Sequence, residues 1–284
     1  MLWFLSVLVA AIARTGEFAL FKSALRKIDP LILATAATLF TVIIYSPIFA
    51  LSYIQNPVIS ESDIVLFVIP LSGLVNSLGL VVVLKAFKTG DFSVAVPLRD
   101  LVPIFSFFWA VLILGETVTL SIVAATLLVV IGAILLHIKN RRIDIRSRSS
   151  LYAIIAALLA SFSIITDKVI NTHIEPIKAA LIVYGMMFVF LISFTVISGK
   201  FPDFKTTVLR KWRSVVPIPL FAIVGTLGVY TALSLANVTL VSPLIRIEVL
   251  FSVLAGGYFF KEKNMLFRLL GALFIFAGIF LIIS

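Results

Sequence analysis

The chain contains no cysteine, which excludes disulfides, thiolate metal sites and cysteine nucleophiles. Histidine is scarce too, with only His137 and His173 able to offer an imidazole. No GxxxxGK stretch occurs, so there is no P-loop to cradle a nucleotide's phosphates. Charge is equally thin. Asp, Glu, Lys and Arg make up 13% of the residues, about half of the roughly 25% found in soluble domains. That is too little to cover a globule of 284 residues, so the surface must meet lipid. What the chain does have is apolar mass: 62% hydrophobic residues and a mean hydropathy of +1.22. The net charge of +10 would point to nucleic acid in a soluble protein. Here the basic residues fall in short loops between apolar runs, so membrane topology accounts for them and no nucleic-acid partner is expected.

A spanning helix needs about 20 mostly apolar residues to cross a hydrocarbon core about 30 Å thick. Ten segments qualify: about 2–21, 30–51, 64–84, 94–114, 118–138, 151–170, 177–198, 214–235, 240–260 and 265–283. The expected fold is therefore all-α and integral to the membrane, with multiple passes. The opening MLWFLSVLVAAIA lacks the basic region of a cleaved signal and reads as the first span. Turns as short as GETV at 115–118 and KEKN at 261–264 make consecutive spans antiparallel neighbours.

Lys and Arg are retained on the cytoplasmic side of a membrane. The loops after spans 1, 3, 5, 7 and 9 carry 17 of them, among them Lys22, Lys88, Arg142, Lys200, Lys211 and Lys261, while the opposite loops carry 2, Lys168 and Lys178. This imbalance predicts that both termini lie outside the cytoplasm.

A shift of 146 residues aligns the two halves without a gap. Lys22 falls on Lys168, Asp29 on Glu175, Pro30 on Pro176, Pro97 on Pro243, Glu116 on Glu262 and Gly132 on Gly278. The halves are 1–138 and 151–284, joined by a basic linker at 139–150. With five spans per half, the second unit must sit upside down relative to the first. Inverted repeats are a device of transporters, because exchanging the conformations of the repeats exchanges the open side.

The stretch AVPLRDLVPIFSFFWAVLILGETVTLSIVAATLLVVIGAILL at 95–136 has its partner in VSPLIRIEVLFSVLAGGYFFKEKNMLFRLLGALFIFAGIFLII at 241–283. Both run from Pro through an apolar helix and a Glu-bearing turn to a helix with a late Gly. With Lys22 and Asp29-Pro30, each half resembles an EamA domain of the drug/metabolite transporter superfamily. The resemblance covers nearly the whole chain. It implies ten helices, a central cavity lined mainly by spans 1, 3, 4, 6, 8 and 9, and spans 5 and 10 packed together behind. Many such proteins are taken to have cytoplasmic termini, and the charge count here gives the reverse.

Ionisable residues within spans are costly and mark cavities or partners. Arg14 and Glu17 share a face of the first span, and Arg99 and Asp100 lie at similar depth in the fourth. Asp167 and Lys168 late in the sixth span, with Arg246 and Glu248 early in the ninth, form the echo of that group in the other half. The sequence thus predicts two clusters, one toward each face, acting as a substrate site or as a pair of gates; the bland alternative is that each cluster merely braces helices. Arg99 and Arg246 suit anion anchoring, since a guanidinium fork matches a carboxylate or phosphate. Glu17, Asp100 and Glu248 are the candidates for proton coupling. Pro97, Pro103 and Pro243 permit kinks or static bends. Asn76, Ser77, Gly79, Gly225 and Gly228 read as packing positions more than as cavity lining. Gly132 and Gly278 read as a structural seam between spans 5 and 10, and Glu116 and Glu262 as turn or capping residues.

No constellation of bases or metal ligands suggests an enzyme, and neither cofactor nor metal is implied. The leading expectation is a secondary carrier that exports a small polar metabolite such as an amino acid, a substrate class drawn from the resemblance alone. A flippase for a lipid-linked substrate and a non-transporting bundle remain as rivals. The expected partners are a small-molecule substrate and the lipid bilayer; a homo-oligomer is compatible with the sequence.

Overall fold

The computed structural model describes residues 2–57, 62–89, 98–137, 147–251 and 265–283. Helices α1 (Leu2–Ala24), α2 (Pro30–Gln55), α3 (Ile64–Thr89), α4 (Val102–Leu114) and α5 (Leu120–His137) build the first half. In the second half stand α6 (Arg148–Asn171), α7 (Pro176–Ile197), α8 (Phe201–Arg210), α9 (Trp212–Val215), α10 (Pro217–Leu235), α11 (Val238–Ile245) and α12 (Met265–Ile283). No strand occurs among the described residues. Helices α1, α2, α3, α6 and α7 and the stretch Trp212–Leu235 are each long and apolar enough to cross a bilayer, and α4, α5 and α12 contribute shorter apolar runs. The expected spans at 94–114 and 240–260 are described only in part, and Pro97, most of the 139–150 linker and Glu262 lie outside the described residues.

Local chemistry sets the helix ends. Asp29 caps α2, its Oδ1 accepting from the Leu31 amide at 3.0 Å, and Pro30 occupies the first turn, where its missing N–H costs nothing. Ser147 caps α6 by accepting from the Ser150 amide at 3.1 Å. Gly115 ends α4 in the left-handed region, at φ 63°. The boundaries obey the 146-residue shift: Leu2 answers to Arg148, Pro30 to Pro176 and Thr89 to Leu235.

Packing follows the same exchange. Helix α1 lies along α10 and α6 along α3, while α2 pairs with α7 and α5 with α12. The α5–α12 pair depends on glycine. A Cβ on Gly132 would lie 2.6 Å from the Gly271 carbonyl oxygen, and one on Gly278 would lie 2.7 Å from that of Ala125. Backbones meet there as closely as helices in lipid can, which is the seam expected from the small residues.

Loop contacts sort into two layers. On one side Lys200 Nζ pairs with Asp29 at 2.9 Å, Lys88 Nζ donates to the Ile28 carbonyl at 3.1 Å, Lys211 Nζ to that of Lys27 at 3.3 Å, and Ser149 to that of Ala86 at 3.0 Å. On the other side Lys178 Nζ donates to the Asn56 carbonyl at 2.6 Å and pairs with Glu175 at 3.1 Å. The described basic loops therefore share one layer, as the positive-inside count requires.

Candidate functional site

Between the layers lies a cavity of about 200 Å³. Its wall takes Arg14, Glu17 and Phe18 from α1, Thr38 and Thr41 from α2, Asn76 and Leu80 from α3, Ser163 and Asp167 from α6, Tyr184 and Met187 from α7, and Thr226 and Tyr230 from α10. Arg99, Ser242 and Arg246 complete it. The lining is wider than the resemblance implied, because α2 and α7 also face inward. The Thr38 and Thr41 hydroxyls and the Tyr184 phenol bring polarity that a purely structural helix pair would not need.

At the centre four ionisable side chains meet. Arg99 Nη2 pairs with Glu248 Oε1. Arg246 Nη1 lies 3.2 Å from the same Glu248 oxygen and 3.3 Å from Asp100 Oδ1. All four residues are buried, and the Arg99 guanidinium also sits 4.0 Å over the Phe18 ring centroid. The backbone explains how they converge. The helical path breaks in a turn at 100–101 just before α4, and again at Arg246 just after α11, with helix resuming over 247–251. Interrupted helices at the repeat interface are where transporter folds place charge. Pro103 stands in the first turn of α4 and Pro243 near the end of α11. A hydroxyl pair, Ser106 to Ser242 at 2.6 Å, ties the two helices together.

This corrects the expected layout. The sequence placed Arg99 and Asp100 with Arg14 and Glu17 at one mouth, and Arg246 and Glu248 with Asp167 and Lys168 at the other. Instead Arg99, Asp100, Arg246 and Glu248 form a single central group. Positions 100 and 246 are equivalent under the 146-residue shift, and their side chains meet. Lys168 leaves the group altogether: its Nζ donates to the Leu233 and Ala236 carbonyls at 2.6 and 3.0 Å and closes the C-terminus of α10. Asp167, one residue earlier and so about 100° around the helix, faces the cavity.

Asp167 is held by neutral groups. Its Oδ1 accepts from Ser72 Oγ at 2.7 Å and from Asn76 Nδ2 at 3.4 Å, and Ser163 Oγ stands 3.4 Å from its Oδ2. The Tyr230 side chain lines the cavity beside it, while Ser163 donates to Asn76 Oδ1 at 2.7 Å. Ser72, Ser163, Tyr184 and Tyr230 were not singled out from sequence, and Asn76 was read as packing. The signal was present: Ser72 with Asn76, and Ser163 with Asp167, are polar pairs four residues apart, each on one helical face.

Arg14 stands across the cavity, its stem running over Gly225, where a Cβ would come within 3.2 Å of Arg14 Cγ. Its buried Nε has no hydrogen-bond partner among the described residues. Glu17 shares the wall. Glu116 is a cap, though of a helix distant in sequence. Its carboxylate accepts from the Val238 amide at 2.8 Å, the Thr239 amide at 3.0 Å and the Thr239 hydroxyl at 2.8 Å, at the start of α11.

An all-helical, multi-pass bundle with a charged chamber at its middle defines a polytopic membrane protein organised around a solute-sized space. The chain belongs to the EamA-like transporter family of the drug/metabolite transporter superfamily: the family's model matches residues 1–138 and again 147–284. No curated protein matches it. One solved structure, described only as "Crystal structure of protein", has 15% sequence identity and a TM-score of 0.71, the match covering 99% of this chain and 95% of that one. At that identity the likeness is one of fold.

Proposed function

We propose that the protein is a secondary transporter that exports a small polar, amino-acid-like metabolite by alternating access. Two inverted five-helix units, 1–138 and 151–284, would rock against each other about the central ionic group, with the basic linker 139–150 and both termini on opposite sides of the membrane. The observation that carries this reading is the central cavity. Both halves line it, it lies among apolar helices, and it presents a guanidinium whose Nε is left unsatisfied. A buried donor without a partner is costly, and a solute carboxylate would satisfy it with a charge-assisted bond. The family match and the contact pattern that repeats under the 146-residue shift support the same reading.

Counterflow in proteoliposomes tests it. Vesicles loaded with unlabelled amino acids should accumulate a labelled one, and Arg14→Gln should slow this about tenfold or more, as expected for losing a charged contact. Folded, reconstituted protein that exchanges no solute in such a screen would overturn the proposal.

A further inference from the structure

Away from the cavity, one segment is built unlike the spans around it. Helix α8 (Phe201–Arg210) and the short α9 (Trp212–Val215) fill the connection from α7 to α10 in the basic layer. At 10 residues, with Asp203, Lys205 and Arg210 among them, α8 cannot cross a bilayer. Its faces are sorted by chemistry. Phe204 and Thr207 are buried, Phe204 within the apolar cluster that holds Leu25, Ile28 and Leu31. Phe201, Lys205 and Leu209 follow one another at four-residue spacing and so share a second face. That face is open: Phe201 is 45% and Leu209 65% exposed, and Trp212 just beyond them is 45% exposed. The remaining face carries Asp203, Thr206 and Arg210. A short helix with an apolar side and a charged side suits the plane of a membrane–water interface. Lys205, between Phe201 and Leu209, can lay its stem along them and raise its ammonium to the headgroups.

Charge selects the headgroups. Residues 200–213 carry Lys200, Lys205, Arg210, Lys211 and Arg213, with Asp203 as the acid among them. Lys200 pairs with Asp29 and Lys211 donates to the Lys27 carbonyl, so the two ends of α8 are held against the α1–α2 turn. Lys205, Arg210 and Arg213 are exposed and meet no carboxylate among the described residues, Arg213 lying over the Trp212 ring. The repeat supplies the comparison. Under the 146-residue shift, 201–209 answers to QNPVISESD at 55–63, which has Glu61 and Asp63 and no base. That connection starts in the opposite layer, where Asn56 meets Lys178. The basic, apolar-edged helix therefore belongs to one face of the molecule and is no relic of the duplication.

We propose that α8 and α9 form a docking surface for anionic phospholipids of the leaflet at the basic layer. Phe201, Leu209 and Trp212 enter the acyl boundary, and Lys205, Arg210 and Arg213 meet the phosphates, each base contributing through the negative surface potential. Because the segment is tied to the turn that ends α1, lipid composition bears on a helix that lines the cavity. The proposal holds whatever solute the cavity carries.

The chain has no cysteine, so Ser214→Cys takes a single environment-sensitive fluorophore on the full-length protein. The labelled protein is placed in nanodiscs of phosphatidylcholine with increasing phosphatidylglycerol. Emission should shift as phosphatidylglycerol rises, and less so in about 1 M salt, where the screening length falls to about 3 Å from about 10 Å. Lys205→Gln, Arg210→Gln and Arg213→Gln combined should weaken the response about tenfold or more. Phe201→Ser with Leu209→Ser should weaken it as well. Lys85→Gln with Arg148→Gln, exposed bases of the same layer, should leave it unchanged. Melting temperature in phosphatidylcholine discs checks the fold of each variant, and the salt arm needs no charge variant. A shift that ignores phosphatidylglycerol or salt overturns the proposal. An equal loss in the Lys85 and Arg148 variant assigns the attraction to the whole layer and overturns it too. Glycerol phosphate added in water, if it shifts the label as far as phosphatidylglycerol does, makes this a site for soluble anions and likewise overturns it.

Discussion

Arg246 and Asp100 lie 146 residues apart, occupy the same position in the two halves, and pair with each other at 3.3 Å. A duplication has thus placed opposite charges at one repeat position and brought them into contact. Removing one member of a buried pair leaves the other short of its counter-charge, a loss of about 3 kcal/mol or more. Asp100→Asn should therefore lower stability by roughly that amount in detergent unfolding. Because the two positions are equivalent, the reversed pair Asp100→Arg with Arg246→Asp should be more stable than either single reversal. A double reversal no better than the singles would show that the surroundings, and not the pair, fix the charges.

The seam between α5 and α12 makes a steric prediction. A Cβ at Gly132 would come 2.6 Å from a backbone oxygen, and backbone cannot yield as a side-chain tip can. Gly132→Ala should cost about 1–3 kcal/mol, the usual penalty of overpacking, and Gly278→Leu more. Gly225→Ala, where the Cβ would meet the flexible stem of Arg14, should melt nearly as the parent does while altering solute binding. Melting curves of the three variants separate the cases.

Capping by Glu116 can be read in the same way. Its carboxylate serves two amides and a hydroxyl at the head of α11. Loss of a cap costs about 1 kcal/mol, so Glu116→Ala should lower the melting temperature modestly. As α11 leads directly into Arg246, this variant should also loosen the central group. Faster hydrogen exchange over 238–245 would register it.

Acid should weaken the loop layers in a defined direction. Burial works against the ionised form of Asp29, but hydrogen bonding and charge from Lys200, with the Leu31 and Ile32 amides, outweigh it and hold the carboxyl below its ordinary 3.8. Bonds from Lys178 and Asn56 hold Glu175 below 4.5. Lowered folded-state values mean that the stabilisation is complete above the unfolded values and is lost as pH falls through the folded ones. Melting temperature should therefore be insensitive to these groups near neutrality and fall below about pH 4, with the fall reduced in Asp29→Asn. An equal fall in that variant would remove Asp29 from the account.

Orientation is read from cysteines placed in the two loop layers. From the charge count, a cysteine at Thr206 should resist an impermeant thiol reagent in intact cells, and one at Thr172 should react. The opposite pattern reverses the assignment and leaves the fold untouched.

The helices, the repeat and the α5–α12 seam were legible because each rests on local properties: apolar length, a constant offset, and small residues at helical spacing. The charged groups were harder. Depth along an unbroken helix assigns Arg99 and Glu248 to opposite mouths, but α4 begins only at Val102 and α11 ends at Ile245, and the breaks carry both residues inward. Neither break shows in the apolar pattern, because turn residues at 100–101 and 246 are flanked by the same aliphatic side chains as any span. Lys168 illustrates a second limit. A lysine next to an aspartate reads as its partner, whereas helix geometry points the two in different directions and the open carbonyls at the end of α10 claim the lysine.

The crossed pairing of α1 with α10 and of α6 with α3 bears on how the molecule is made. Ser6, Ala10 and Ala13 of α1 pack against Gly225 and Gly228, residues synthesised more than two hundred positions later. A nascent first half therefore enters the bilayer with this face of α1 against lipid or a chaperone, and the cavity does not exist until nearly the whole second half has been threaded in. Arg14 and Glu17, one turn apart on that waiting helix, can offset each other's charge during the interval. Their spacing of one turn thus matters to insertion before it matters to any solute.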